Sequence, residues 1–171
     1  MISAFLKKLM FARQFDMGDG TILILGNEHI MLGSEILYML QEKNPQEFFE
    51  SIRESTRELT KHYFEKLGAS QVRSNFTVEG IFNDFGLGKI EVVELGETRA
   101  VINLFNSAIA RQYLKLNPET DHGVCNLTAA VLAGMFSFIL KTDVMCEEHD
   151  CIAKGNDKCK FILMYENNSS R

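Results

Sequence analysis

The sequence predicts a mixed α/β (α+β) domain in which an antiparallel or mixed sheet is backed by helices. Three observations carry that expectation. Hairpin-type turn signals recur between short apolar runs, at Gly18-Asp19-Gly20, Gly26-Asn27, Leu95-Gly96-Glu97 and Gly155-Asn156-Asp157. Long segments with apolar residues three and four apart stand between those runs. The regular strand–helix alternation that feeds a doubly wound parallel sheet is missing. At 171 residues, 46% hydrophobic and 24% charged, the chain suits one domain, residues 1–171, with a sizeable core.

Residues 1–12, MISAFLKKLMFA, place Ile2, Phe5, Leu6, Leu9 and Met10 on one side of an amphipathic helix. The interrupting lysines and the lack of a small-residue cleavage site argue against a secretory signal. Thr21–Leu25 and His29–Leu32 read as short strands, which makes about 1–33 an N-terminal helix and hairpin. Ser34 is placed to cap a helix running to about Lys43. Pro45 opens a long helix that Gly68 closes, with Phe48, Phe49, Ile52, Leu59, Tyr63, Phe64 and Leu67 on one face. A further helix from about Ser70 to Phe85 carries Val72, Phe76, Ile81 and Phe82.

The segment GKIEVVELGETRAVINLFN reads as a β-hairpin. A short helix over about Ser107–Leu116 stops before Pro118. GVCNLTAAVLAGMFSFILKT reads as an apolar helix with small residues on one side. DVMCEEHDC and CKFILMYE read as strands around the last turn, and 167–171 as a polar tail. No window reaches the roughly 18 apolar residues of a membrane span, and the expectation is a cytoplasmic protein. A formal net charge of −5, with Lys7-Lys8 the one adjacent basic pair, argues against a nucleic-acid partner.

Chemistry concentrates in residues 146–161, CEEHDCIAKGNDKCKF, which hold three of the four cysteines. In a reducing compartment such a cluster points to metal or redox chemistry before disulfides. A hairpin through the Gly-Asn-Asp turn brings Cys151 and Cys159 side by side. A helix packed over the sheet lowers Cys125, near its start, onto the same corner. Zinc takes four ligands from thiolate, imidazole and carboxylate. Cys125, Cys151 and Cys159 supply three, and Glu148, Cys146 or His149 the fourth. Cys146 and Glu148 face the same way on a strand, which makes Cys146 a rival for the fourth place. Spacing alone leaves inert buried thiols open as the alternative. A thioredoxin-like role lacks its C-x-x-C at a helix start.

GVCNLTAAVLAGMFSFIL followed by EEHDCIAKGNDKCKFIL resembles the C-terminal half of the 4-vinyl reductase domain family. The shared pattern is a cysteine opening a small-residue helix, then E-x-x-C, a Gly-containing turn and C-x-F, here Cys125, Glu148, Cys151, Gly155, Cys159 and Phe161. HIMLGSEILYMLQEK matches more loosely. Similar domains sense ligands in bacterial activators of phenol catabolism, where three cysteines and a glutamate bind zinc. The resemblance implies zinc on Cys125, Glu148, Cys151 and Cys159, within a motif over about 122–165. It also implies a fold like that of TRAPP-subunit-like ligand-binding domains, and a homodimer built through N-terminal helices. Four protein ligands close the shell, which marks the zinc as structural.

The resemblance further implies a buried pocket for a hydrophobic or aromatic small molecule. Phe76, Phe82, Phe105, Tyr113, Met135 and Phe138 are candidate wall residues, with His122 as a polar handle and Asn75 and Asn103 as further hydrogen-bonders. Ala129, Ala130, Ala133 and Gly134 either admit a neighbouring backbone or leave space beside it. The phenol sensors' ATPase and DNA-binding regions have no counterpart here, so the expectation is a stand-alone module that acts alone or through a protein partner. Two other readings stand beside the sensor. One is an enzyme or accessory factor for vinyl-group reduction in tetrapyrrole metabolism, although no nucleotide fingerprint, G-x-S-x-G elbow or H-E-x-x-H accompanies it. The other is a ligand-free adaptor.

Overall fold

A computed structural model describes residues 4–67 and 75–166, with the backbone alone described at 4, 5, 75–77 and 81. The helix α1 spans Ala4–Phe11. The strands β1, Phe15–Gly18, β2, Thr21–Ile24, and β3, Asn27–His29, form a small antiparallel sheet in that order. Its turns need left-handed backbone, supplied by Asp19-Gly20 at φ 51° and 80° and by Leu25-Gly26 at φ 52° and 85°. Pairing ends at His29, so the apolar run Ile30-Met31-Leu32 is not the expected strand. Those three side chains are 79%, 76% and 45% exposed.

The helix α2, Ser34–Lys43, starts behind Gly33. No side chain caps it, and Ser34 Oγ lies 3.5 Å from Gln112 Oε1 instead. The helix α3 spans Pro45–Leu67 and buries Phe49, Thr60, Tyr63 and Phe64. The next helix, α4, covers Asn75–Asp84, and the predicted start near Ser70, with Val72, lies outside the described residues.

The larger sheet runs β4, Lys89–Leu95, β5, Arg99–Phe105, β7, Cys159–Tyr165, and β6, Val144–Asp150, every pair antiparallel. This is the mixed α/β architecture with antiparallel sheets backed by helices. Asn83 Oδ1 and Glu79 Oε1 of α4 accept from the Ile90 and Val92 amides at 2.9 and 3.4 Å, which satisfies the free edge of β4. Between β5 and β6 run α5, Ala108–Leu116, and α6, Asn126–Leu140.

The core lies between the sheet's inner face and α6, and α3 packs over α6. Ile102, Leu104, Phe161, Leu163 and Val144 are fully buried. Phe64 of α3 meets Phe138 of α6 edge-on at 5.3 Å. Gly134 is where the two helices come closest: a Cβ there would collide with the Arg53 carbonyl and stand 2.9 Å from Thr56 Cβ. The small-residue side of α6 therefore serves close helix packing at this point.

Candidate functional site

Register decides which cysteines meet. On the inner face of the sheet, Ala100, Leu163 and Cys146 form one cross-strand row, Ile102, Phe161 and Glu148 the next, and Ile90, Leu104 and Cys159 the third. Each row is two residues, or about 6.7 Å, from the next. Cys146 shares its face with Glu148 but stands two rows from Cys159. It stays out of the cluster for that reason. The register shift between Glu148 and Asp150 and the short 3₁₀ turn Ile152–Lys154 fold Cys151 back beside Cys159. Cys125 arrives from above as the residue preceding the first turn of α6.

The three thiols are buried and unbonded. Cys125 Sγ lies 4.0 Å from Cys151 Sγ and 3.7 Å from Cys159 Sγ, and the last pair is 3.8 Å apart. A disulfide needs about 2.05 Å. Three thiolates at about 2.3 Å from one tetrahedral zinc ion stand about 3.8 Å from each other. Glu148 completes the group, with one donor atom from each of the four residues inside 4.8 Å. Its Oε2 accepts from the Cys125 amide at 2.8 Å, while its buried Oε1 has no hydrogen-bond partner. An orphaned carboxylate oxygen among three thiols is a donor set fitted to a divalent metal, and the residues present fit zinc.

The surroundings are built for thiolate. The Ile152 amide donates to Cys159 Sγ at 3.4 Å, and the Val124 amide donates to Cys151. Ser107 accepts from the Ala110 amide at the start of α5, and its hydroxyl lies 3.3 Å from Cys125 Sγ. Hydrogen bonds from Cys125 and Cys159 pull the Cys151 thiol far below the ordinary thiol range, and donating to those neighbours pushes Cys125 up. Burial, with the Cys151 charge beside it, raises the Glu148 carboxyl to about 7. The metal-free corner thus holds one thiolate, at Cys151, ringed by donors.

Two supports escape a sequence reading. Gln41 of α2, 1% exposed, donates to the Val124 carbonyl at 2.7 Å and accepts from the Leu127 amide at 3.0 Å, which fixes the backbone on both sides of Cys125. Gly123 clears room for the carboxylate, since a Cβ there would stand 2.5 Å from Glu148 Oε2. His149 and His122 are exposed, and His122 Nδ1 bonds Thr120 and Asp121 at 2.7 and 3.2 Å.

A second feature lies between α3, α4 and α6. Thr56, Leu59, Thr60, Tyr63, Phe82, Phe85, Leu87, Val131 and Met135 line a cavity of about 110 Å³ whose wall is almost wholly apolar. Met135 is ten residues beyond Cys125 on α6, about 15 Å along the axis. Of the wall residues expected from the sequence, the cavity brings together Phe82 and Met135. Phe105 instead stands under the Lys158 ammonium at 5.6 Å, Tyr113 meets Tyr38 edge-on at 6.0 Å, and Phe138 packs on Phe64. Asn103 is spent on Glu91 at 3.4 Å, and the side chains of Phe76 and Asn75 lie outside the described residues. The third wall is α3 where the sheet was expected, because Gly134 draws that helix onto α6. The α3 wall residues share one apolar face legible in the sequence, but nothing there separates wall from core.

Comparison with known proteins agrees with this fold. Residues 101–164 match the 4VR (vinyl-4-reductase) domain. Curated proteins yield no match. Among solved structures, the phenol-responsive sensory domain of the transcription activator PoxR, with phenol, is similar at a TM-score of 0.69 and 11% identity, over 96% of this chain and 92% of that one. A vinyl-4-reductase family protein from Methanocaldococcus jannaschii is similar at 0.53 and 15%, over 80% and 83%. A trafficking protein particle complex subunit 3 from Naegleria fowleri, covalently bound to palmitic acid, is similar at 0.53 and 13%, over 78% and 95%.

Proposed function

Taking residues 101–164 as a vinyl-4-reductase-type domain, we propose that the whole chain is one such domain, clipped by zinc, that binds a small hydrophobic molecule between its helices. The observation that carries the reading is the apolar cavity of about 110 Å³ walled by α3, α4 and α6. Apolar cavities with few polar groups are the usual form of small-molecule sites. Two of the structurally similar proteins are described with a ligand, phenol in one and palmitic acid in the other.

Zinc on Cys125, Glu148, Cys151 and Cys159 would supply no open position for substrate. Its part is to tie the β6–β7 hairpin to the start of α6, the helix whose other end walls the cavity. Ser107, Gln41 and the Val124 and Ile152 amides orient the ligands, as outer partners do at metal sites.

The chain's other exposed feature is apolar surface in the N-terminal third. Phe11 is 94% exposed, and Met10, Met17, Ile30, Met31, Ile36 and Met39 each about half or more. A soluble monomer seldom leaves so much apolar surface open. A second copy of the chain is the proposed cover, and light scattering at micromolar concentration should return a dimer mass.

The ligand reading is tested by thermal shift with single-ring aromatics and short fatty acids. A ligand specific to the folded state raises the melting temperature by mass action. Val131→Phe, which fills the cavity from α6, should abolish the shift. Hits that survive unchanged in that variant would move the site elsewhere.

A further inference from the structure

The hydroxyls on the cavity wall are committed away from it. Tyr63, 1% exposed, gives its ring to the cavity while its hydroxyl stands 2.7 Å from His29 Nε2 on β3. His29 is not part of the wall. Phe85, which is, stacks on Tyr63 at 6.1 Å between ring centres and lies 5.7 Å from the His29 ring. The two aromatic rings thus cover the hydrogen bond from the cavity side. Burial holds His29 below the ordinary imidazole range, so the neutral ring accepts the phenolic proton. Thr60 Oγ donates to the Thr56 carbonyl at 2.7 Å, and Thr56 turns its Cβ toward Gly134.

A ligand hydroxyl seated here would leave water for a wall whose polar groups are already paired. An unpaired buried hydroxyl weakens binding roughly tenfold or more. Size limits the ligand as well. An engineered apolar cavity of about 150 Å³ holds benzene, so about 110 Å³ suits a single ring or a short branched chain.

We infer that the Tyr63–His29 hydrogen bond makes this cavity selective for small uncharged hydrocarbons over their hydroxylated counterparts. This rests on the cavity being the ligand site. Both residues come from outside the 101–164 match, so the selectivity would belong to this chain's own N-terminal part.

The test is calorimetry of the full chain with toluene and phenol as the probes. Toluene should bind at least about tenfold more tightly than phenol. His29→Leu leaves the Tyr63 hydroxyl without its acceptor, and should raise phenol affinity fivefold or more while toluene stays within about twofold. Should that variant fail to fold, Val131→Thr places a hydroxyl on the wall and should narrow the toluene-to-phenol ratio by a similar factor. Phenol binding as tightly as toluene to the unaltered protein would overturn the inference and leave the cavity as the site. So would a ratio unmoved in the folded variant. Binding of neither probe would sink the cavity reading itself, and the inference with it.

Discussion

The cysteine corner and the cavity sit on the same helix, about ten residues apart, and are held by opposite physics. At the corner, polar atoms crowd together and each is fixed by a directional bond, from the Ser107 hydroxyl, the Gln41 amide or a backbone N–H. In the cavity, apolar side chains from three helices stop short of one another, and the few hydroxyls point away. The first is an arrangement of donors and acceptors, which tolerates little movement. The second is missing volume, which depends on how closely α3 approaches α6 at Gly134. A change that breaks one should leave the other's chemistry readable.

The largest effect is expected at the corner. Cys151→Ser or Cys159→Ser should release the metal and lower stability by several kcal/mol, because structural zinc binding is linked to folding. Metal analysis paired with thermal melts checks it. Retained metal in either variant would break the assignment. On the cavity side, Met135→Ala should cost about 2–4 kcal/mol, the usual toll of a large-to-small core change, since Met135 is 2% exposed. It should leave metal content unchanged. Loss of metal there would show the two regions to be one unit.

Gly123→Ala is a finer probe. Its methyl group meets the Glu148 carboxylate, so metal affinity should fall about 10–100-fold, as when an outer partner is removed. Competition with a chelator measures it. Cys146→Ser should cost about 1–2 kcal/mol for a buried hydroxyl and keep the metal, since Cys146 lies two strand rows from Cys159. The smallest effect belongs to pH. Burial lowers the His29 pKa in the folded state, so the unfolded chain binds more protons as pH falls through the imidazole range. Stability should drop slightly as pH falls from about 7 to 5, and His29→Leu should flatten that component of the slope.

The two regions are also unequally legible in sequence. The corner is written in residue types: three cysteines, a glutamate and a turn within thirty-five positions leave few arrangements. Even the ambiguity between Cys146 and Glu148 is visible there, and it takes the cross-strand register to resolve which of them reaches Cys159. Gly123 and Gln41 carry no such signal, because their service depends on contacts with distant residues, Glu148 and the backbone around Cys125. The helices and the large hairpins follow from periodicity and turn residues. Ile30-Met31-Leu32 does not, because an apolar run reads alike whether it pairs in a sheet or lies open at a surface. The sequence places the cavity between α4 and α6 but gives its third wall to the sheet. Whether small residues such as Gly134 leave space or admit a helix is decided by tertiary packing alone.

The most direct measurement is elemental analysis of the purified chain beside Cys146→Ser and Cys159→Ser. The account predicts close to one zinc per chain in the unaltered protein and in Cys146→Ser, and none in Cys159→Ser. Unaltered protein that is metal-free yet fully stable, or a Cys159→Ser chain that keeps its zinc, would contradict it.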